Sequence, residues 1–251
     1  MQRPRSLTIT AALPCLVVSL LLAACASSVA SMPSTTTTTA LSGPQRIAVP
    51  QGSTLVATLH GATPGSIAPD LPSSLVVPGH WYGYRSKLEV IGQRPGWLHV
   101  RLAQRPNGST AWIRSSAATV TSTPYRLVVN LSTMHLVVYE HGTSILDFPA
   151  GVGTTSDPTT AGDFFITMHA PAPNPGYGPL VLVTSAHSNA ITDWQGSGDA
   201  IIAIHGPIST LADSQIGDSG ARISFGCIRL HDADLAQLAM IPPGTPFDVV
   251  N

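Results

Sequence analysis

The chain has 251 residues, of which only 10% are charged, and its net charge is −1 at pH 7. This balance argues against a nucleic-acid partner, because proteins that bind nucleic acids usually carry a basic stripe or patch. The 22 glycines, 22 prolines and many β-branched residues favour strands and turns over helices. The composition therefore predicts a mainly β protein with one large or two small domains.

The first 25 residues have the pattern of an export signal. A short basic segment precedes an almost uncharged stretch from Leu7 to Ala24, and small residues stand before Cys25. This pattern resembles a bacterial lipobox, in which the cysteine is acylated and becomes the new N-terminus. We expect residues 1–25 to be a lipoprotein signal peptide and Cys25 to be its lipidation site. A lipid anchor there would hold the protein at a membrane of the cell envelope, outside the cytoplasm.

Two alternatives remain for this segment. An ordinary secretory signal would make Cys25 incidental, and an uncleaved transmembrane helix would need a longer apolar run without Pro14. Residues 26–43 are mostly Ser, Thr, Ala and Pro, so they cannot bury enough apolar surface to offset the entropy of the chain. They predict a flexible tether.

Residues 44–120 predict a small β domain. Short alternating runs indicate strands at 88–91, 97–102 and 110–113. The pair Asn107-Gly108 predicts a two-residue turn before the last of these strands. The Gly-Trp-x-x-Val strand and the Asn-Gly-x-x-x-Trp-Ile return resemble a bacterial SH3-like barrel module. Trp97 and Trp112 either line a peptide groove or belong to the core.

Residues 124–251 predict a second β domain. Apolar and alternating runs indicate strands at 126–131, 135–140, 164–169, 180–184, 200–205 and 247–250. One helix is predicted from Asp232 to Met240. Asp232 is the expected N-cap, and an apolar stripe follows it at helical spacing.

Cys227 is the only thiol expected in the mature chain, because Cys15 and Cys25 belong to the signal segment. A lone thiol in an oxidising compartment suggests a reactive group. His205 ends a buried-looking strand, and an imidazole near a thiol promotes the nucleophilic thiolate. The alternatives are an inert buried thiol and a core histidine.

The residues around Cys227 fit this chemistry. Gly226 allows a tight bend, so that the Gly226 and Cys227 amides could point at an oxyanion. The helix that follows could further favour the thiolate through its dipole. Gly206 leaves a carbonyl free to orient the ring of His205. A zinc site made of His205, Cys227 and His231 is disfavoured by the ligand spacing, and His231 is expected to face solvent.

The order of these pieces resembles the L,D-transpeptidase catalytic domain of the YkuD type. Ile204-His205-Gly206 is followed, seventeen residues later, by Ser-x-Gly-Cys-Ile-Arg-Leu from Ser224. Further pieces that resemble the family lie at 151–153, 158–164 and 174–178, and in the opening hairpin from Tyr125. The resemblance covers about residues 124–251.

This resemblance implies a β-sandwich with one short helix after the catalytic cysteine. It also implies acyl transfer on peptidoglycan stem peptides, in which 3→3 cross-links form through a thioester at Cys227. His205 would be the base and Gly206 its orienting partner, while Gly226 and Cys227 would form the oxyanion hole. Cofactors and metals are not expected, and carbapenem-type compounds are expected inhibitors.

The resemblance implies supporting roles for three further residues. Tyr177 would line the donor cleft. Ser224 would hold the cysteine loop, and Arg229 would brace this loop or meet a substrate carboxylate. Phe225 departs from the pattern, because many family members place a second histidine at that position.

The alternatives are an L,D-carboxypeptidase, an enzyme that anchors proteins to peptidoglycan, and a non-catalytic lipoprotein that binds the cell wall.

Overall fold

The computed structural model describes residues 46–217 and 219–251. The predicted signal peptide at 1–25, the lipidation site Cys25 and the tether at 26–43 lie outside these residues. Among the helices of the described part, none is long and apolar enough to cross a membrane. The described part is mainly β, as the composition predicts.

The N-terminal module (residues 46–123) is built on a five-stranded antiparallel sheet with the order β8-β7-β6-β1-β9. Its strands are β1 (Thr54–Leu59), β2 (Thr63–Gly65), β3 (Leu75–Val77), β4 (His80–Trp81), β5 (Tyr84–Arg85), β6 (Lys87–Arg94), β7 (Trp97–Arg101), β8 (Thr110–Arg114) and β9 (Ala118–Thr123). In β8 the side chains alternate between buried and less buried, as a half-buried strand requires. The SH3-like assignment of this module stays a prediction.

The two tryptophans of the N-terminal module are not equally buried. Trp97 is buried, with the guanidinium of Arg114 3.9 Å from its ring centroid. Trp112 is half-buried and stacks on the ring of His99 at 4.7 Å between centroids.

The connection between β7 and β8 is longer than the predicted two-residue turn. It runs from residue 102 to residue 109, and the Leu102 N–H donates to the Ser109 carbonyl at its base. Gly108 has a φ of +82°, in the left-handed region that favours glycine. The asparagine of the predicted Asn107-Gly108 turn instead uses its side chain to contact the C-terminal module. The Asn107-Gly108 pair thus correctly predicted a turn residue at Gly108. The predicted two-residue loop was wrong, because the connection is longer.

The C-terminal module (residues 124–251) contains ten strands and two short helices. The strands are β10 (Tyr125–Asn130), β11 (His135–Glu140), β12 (Thr143–Pro149), β13 (Gly151–Gly153), β14 (Gly162–Ala170), β15 (Val181–His187), β16 (Ile201–His205), β17 (Ala221–Ser224), β18 (Ile228–Arg229) and β19 (Pro246–Val250). The helices are α1 (Thr210–Gln215) and α2 (Asp232–Gln237). All the strands predicted from the sequence are present.

Hydrogen bonds join these strands into one sheet, with the order β12-β11-β10-β19-β14-β15-β16-β18-β13-β17. The predicted β-sandwich is thus seen as one continuous sheet that curls over a single core. Fully buried side chains from both halves of the sheet, such as Leu127 and Ile204, share one hydrophobic core with Leu235 of α2. The sheet curls because both halves bury their apolar faces against that common core.

The helices differ from the prediction in two ways. Asp232 is the first residue of α2 and not its cap, since His231 occupies the N-cap without a side-chain hydrogen bond. The predicted helical span does continue as a 3₁₀ turn to Met240. Helix α1 was not predicted, although Ser209 caps it by accepting a hydrogen bond from the Ala212 N–H. Its six residues are too few to show an apolar period.

The two modules share apolar packing. Phe165 belongs to β14, but its fully buried ring packs into the core of the N-terminal module. Phe164, one residue earlier, points to the other side of β14 and packs in the C-terminal core. This is the alternation that a strand buried on both faces requires.

Candidate active site

Sheet register brings the two predicted reactive residues together. Strands β16 and β18 are parallel neighbours, with His205 opposite Arg229. Cys227 immediately precedes β18, so its side chain reaches the same cleft as the ring of His205. The cleft is open to solvent and has a volume of about 240 Å³. Its lining residues are Tyr177, Ser188, Ile191, Trp194, Ala200, Ile201, Ile202, His205, Ile208, Ser224, Phe225, Cys227 and Arg229.

His205 is held in one tautomer. Its Nδ1 lies 2.7 Å from the Gly206 carbonyl oxygen, which can only accept a hydrogen bond. Nδ1 must therefore carry a proton, which leaves Nε2 with a free lone pair in the neutral ring. Burial, opposed by the Gly206 hydrogen bond and aided by the positive charge of Arg229, lowers the pKa of His205 to about 4. The ring is thus a neutral base near pH 7.

Tyr177 packs against the ring of His205. It ends a 3₁₀ turn, and its ring centroid is 4.6 Å from that of His205. The Gly206 N–H donates to the Tyr177 carbonyl at 2.8 Å, which ties the turn to the end of β16. A Cβ atom at Gly206 would lie 2.6 Å from Asp232 Oδ1 and 2.8 Å from the Gly178 nitrogen, so only glycine fits there.

Cys227 is a partly exposed residue with a free thiol group. Burial of the sulfur raises its pKa, and this effect exceeds the opposing contributions of the Ala203 backbone hydrogen bond and Arg229. The predicted resting thiolate is therefore not supported, and the resting pair is a neutral thiol beside a neutral imidazole. Helix α2 gives little help to a thiolate, because Asp232 and Asp234 place negative charge in its first turn.

The turn that presents Cys227 is closed by Ser224. The buried Ser224 hydroxyl donates to the Cys227 carbonyl at 2.5 Å and accepts from the Gly226 N–H at 3.1 Å. Gly226 has a φ of +111°, which favours glycine. Because the Gly226 N–H already has an acceptor inside the loop, the Cys227 N–H is the better candidate of the two predicted oxyanion-hole amides.

Thr159 braces the same loop from outside. Its buried hydroxyl donates to the Gly226 carbonyl at 2.8 Å and accepts from the Gly153 N–H at 2.8 Å. Fixing the Gly226 carbonyl also fixes the rest of that peptide plane, including the Cys227 N–H. Sequence reasoning missed this residue, although it lies in the 158–164 segment that carried part of the family resemblance.

Arg229 is the cationic residue of the cleft lining. Its Nε is buried and has no hydrogen-bond partner among the described residues. Burial lowers the pKa of its guanidinium, opposed by Cys227 and Tyr177. A buried donor without a protein acceptor can serve an anionic ligand such as a carboxylate.

Phe225 and Trp194 form an aromatic rim at the cleft. Phe225 is 58% exposed, and its ring centroid lies 5.5 Å from that of Trp194. The position at which many family members have a histidine therefore contributes an apolar surface here. Trp194 was not predicted, because it lies in an irregular Gly- and Ser-rich segment with no periodicity.

His231 is partly exposed at the start of α2, and both of its ring nitrogens also have partners within the protein. Its Nδ1 lies 2.6 Å from Asp213 Oδ1, and its Nε2 lies 2.8 Å from the Ile216 carbonyl oxygen. It thus ties helix α1 to the start of α2. Within residues 46–217 and 219–251, no three His, Cys, Asp or Glu side chains are grouped to hold a metal ion.

The described residues thus form a mainly β protein in which a cysteine and a neutral histidine line one cleft. A model of the L,D-transpeptidase catalytic domain, YkuD, matches residues 124–249. The match covers half of the chain and includes all of the cleft, and the chain belongs to this family.

Two relatives share moderate identity with the same region. A Bacillus licheniformis protein named as an L,D-transpeptidase, YkuD, is 31% identical over 127 residues, which cover 50% of this chain and 66% of the relative. An Escherichia coli protein named as an L,D-transpeptidase, YcfS, is 25% identical over 142 residues, which cover 50% and 43%. The match thus spans less than two thirds of each relative.

Solved structures of L,D-transpeptidases are also similar to this chain. One from Mycobacterium smegmatis is 17% identical with a TM-score of 0.40, and the match covers 65% of this chain and 82% of that one. L,D-transpeptidase 3 from Mycobacterium tuberculosis, in complex with a faropenem-derived adduct, is 12% identical with a TM-score of 0.41, and covers 65% and 79%. These scores are low, so the family assignment rests on the family model.

Proposed function

We propose that this protein is a peptidoglycan L,D-transpeptidase that forms 3→3 cross-links through a thioester at Cys227. The observation that carries the proposal is the pairing, within a matched family domain, of Cys227 with a histidine whose Nε2 is free to accept a proton. Both groups are neutral at rest, so proton transfer must accompany attack. This is general-base catalysis of a thiol nucleophile.

The proposed acylation step begins with the Cys227 thiol. His205 Nε2 takes its proton while the sulfur attacks the carbonyl between the L-centre of diaminopimelate and the terminal D-alanine of a tetrapeptide stem. The Cys227 N–H donates to the oxyanion that develops. The carbon–nitrogen bond then breaks, and the imidazolium of His205 returns its proton to the leaving amine of D-alanine.

The second step transfers the acyl group. A side-chain amine of another stem attacks the thioester carbonyl, and His205 receives the amine proton. The carbon–sulfur bond breaks, and the proton passes to the sulfur of Cys227, which restores the thiol. Arg229 lines the cleft, and its guanidinium would bind a carboxylate of a stem. With water as the acceptor, the same intermediate would give an L,D-carboxypeptidase.

We also propose that the protein works in the cell envelope, anchored by a lipid at Cys25. The basic start, the apolar stretch and the small residues before Cys25 support this location. Incorporation of a fatty-acid analogue tests it. Label must appear in the wild type and be absent from Cys25→Ala, and equal label in both proteins would refute the anchor.

The function is tested by intact-protein mass spectrometry with a carbapenem as the acyl donor. Attack on the strained lactam opens the ring without a leaving fragment, so the adduct adds the mass of one carbapenem to Cys227. We expect no adduct in Cys227→Ala and acylation slower by about 10²–10⁴-fold in His205→Ala. His60→Ala, which changes an exposed histidine of the N-terminal module, is the matched control and should react like the wild type.

Muropeptides then identify the acceptor. Incubation with purified tetrapeptide stems should release D-alanine and give 3→3 dimers, whereas trimmed monomers alone would indicate the carboxypeptidase. Phe225→His should still form the carbapenem adduct on Cys227. Its products with tetrapeptide stems test whether the aromatic rim affects the choice of acyl acceptor. A folded wild type that forms neither adduct nor product, or equal rates with and without His205, would overturn the mechanism in favour of a wall-binding protein.

A further inference from the structure

One wall of the cleft is a single irregular segment. Residues 188–200, the cleft segment, join β15 to β16. Ser188, Ile191 and Trp194 of this segment line the cleft that contains Cys227. Trp194 also meets Phe225 of the cysteine loop, at 5.5 Å between ring centroids. The position of the cleft segment therefore sets the width of the space over the sulfur.

Arg105 reaches this segment from the N-terminal module. Its Nε donates to Asp199 Oδ1 at 2.8 Å. Its Nη2 donates to the carbonyls of Ser188 at 2.9 Å and Ile191 at 3.1 Å. Because the donors of a guanidinium lie in one rigid plane, these bonds fix both ends of the segment relative to each other.

The side chain of Asn107 both donates a hydrogen bond to the backbone of His187 and accepts one from it. Its Nδ2 donates to the His187 carbonyl at 2.7 Å, and its Oδ1 accepts from the His187 N–H at 2.9 Å. This reciprocal pairing defines the orientation of the amide. The Nδ2 also lies 3.2 Å from Asn189 Oδ1. The residue thus pairs with the last residue of β15, where the cleft segment begins.

The carboxylate in this cluster is ionised. Burial tends to raise the pKa of Asp199, but the nearby His187 side chain and the hydrogen bonds from Arg105 and the Ala200 N–H outweigh it and lower the pKa. His187 is 1% exposed, with its Nδ1 2.8 Å from Asp199 Oδ2. Arg105 therefore completes a half-buried charged cluster, and its loss would leave Asp199 without its guanidinium partner.

We propose that Arg105 and Asn107 form a latch by which the N-terminal module positions the cleft segment for binding of the peptide donor. They are positioning residues, because neither lines the cleft. The inference rests on the proposed function for its substrate, but the geometry of the latch does not depend on it. The N-terminal module would thus complete the wall of the active site, in addition to any contact that it makes with the cell wall.

The latch is tested on the purified protein with Arg105→Gln and Asn107→Ala. Arg114→Gln is the matched control, since Arg114 is an exposed arginine of the same module whose ion pair is with Asp70. Hydrogen–deuterium exchange should accelerate in residues 188–200 of both latch variants and remain unchanged in the control. This measurement needs no activity, so it stands even if the proposed reaction is wrong.

Kinetics with a tetrapeptide stem supply the second measurement. We expect KM to rise about tenfold or more in Arg105→Gln while kcat changes little, since misplacement of a binding wall acts on substrate positioning. Reaction of Cys227 with iodoacetamide, which is too small to need the wall, should keep its wild-type rate. That pair of results separates a displaced wall from a damaged catalytic centre.

The effects of substitutions at Arg105 and Asp199 on KM should not be additive. Asp199→Asn and Arg105→Gln share one contact, so the double variant should affect KM less than the two single effects combined. Unchanged exchange in residues 188–200, or a KM shift no larger than that of Arg114→Gln, would overturn the proposal. If Arg105→Gln does not fold, Asn107→Ala provides the test of the proposal. This substitution removes the hydrogen bonds to His187 and Asn189 and leaves the ion pair between Arg105 and Asp199 intact. A wild type without activity would instead refute the proposed function.

Discussion

His205 combines an engaged Nδ1 with a ring that is 2% exposed. The Gly206 hydrogen bond favours the protonated ring, but burial has the larger effect and the pKa falls to about 4. A histidine with an ordinary pKa near 6.5 would be partly protonated in mildly acidic medium and would then be unable to accept the proton of the thiol. Burial therefore keeps the base available over a wider pH range.

The lowered pKa of His205 also predicts how the stability of the folded protein depends on pH. Between pH 6.5 and about 4 the unfolded chain binds a proton at His205 and the folded chain does not, so stability is lost as the pH falls through this window. From pH 7 to pH 4 the loss attributable to His205 is about 3 kcal/mol. Urea unfolding of the wild type and His205→Gln at several pH values measures it. Parallel pH profiles for the two proteins would contradict the assigned pKa.

The residues at the centre of the site could be predicted from the sequence, whereas most of the residues that hold them could not. Cys227 and His205 stand in short patterns whose residue types the chemistry requires. Ser224 was named from the same pattern. Arg105 carries no such signal, since its role depends on contacts with residues more than eighty positions away. Trp194 carries none either, since it meets Phe225 from an irregular segment.

The hydrogen bonds that support the cysteine loop also connect this loop to a neighbouring strand. The buried Thr159 hydroxyl joins the end of β13 to the cysteine loop before β18. Its replacement by valine keeps the shape and leaves the Gly226 carbonyl and the Gly153 N–H without their partner. We expect a loss of stability of about 1–3 kcal/mol, together with slower acylation of Cys227.

The comparison for Thr159→Val is Thr143→Val on β12, where the side chain is exposed. This control should change stability by less than about 0.5 kcal/mol and leave acylation unchanged. Chemical unfolding and the rate of carbapenem adduct formation provide both readouts. Acylation at the wild-type rate in Thr159→Val would show that the loop keeps its shape without the hydroxyl.

The secondary-structure prediction was most reliable where a strand shows a clear pattern. Strands β10, β11 and β16 have long apolar or alternating runs, and all three were predicted. The strands β13 (Gly151–Gly153) and β18 (Ile228–Arg229) were not predicted, because two or three residues cannot show a period. Their place is decided by partner strands that lie far away in the sequence.

At the level of the whole molecule, the two modules are expected to unfold together. Phe165 extends from the sheet of the C-terminal module into the core of the N-terminal module, and Arg105 and Asn107 make contacts in the other direction. Calorimetry of the wild type should show one transition, with equal calorimetric and van't Hoff enthalpies. Two resolved transitions would show that the modules are independent.

Phe165→Ala tests which contact couples the modules. Removal of this fully buried ring should cost about 3–5 kcal/mol and weaken the coupling, so that the transition broadens or splits. The exposed Phe225→Ala is the control and should change stability by less than about 0.5 kcal/mol. Equal effects of the two substitutions would place the coupling elsewhere.

The position of β19 has a consequence for the order of folding. This strand follows every other strand of the described residues, yet it lies inside the sheet, parallel to β10 and antiparallel to β14. The two halves of the sheet therefore cannot join until synthesis has passed residue 250, and the long sequence separation predicts slow closure. Until then the edges of β10 and β14 are unpaired, and a nascent chain would need protection from aggregation at these two strands.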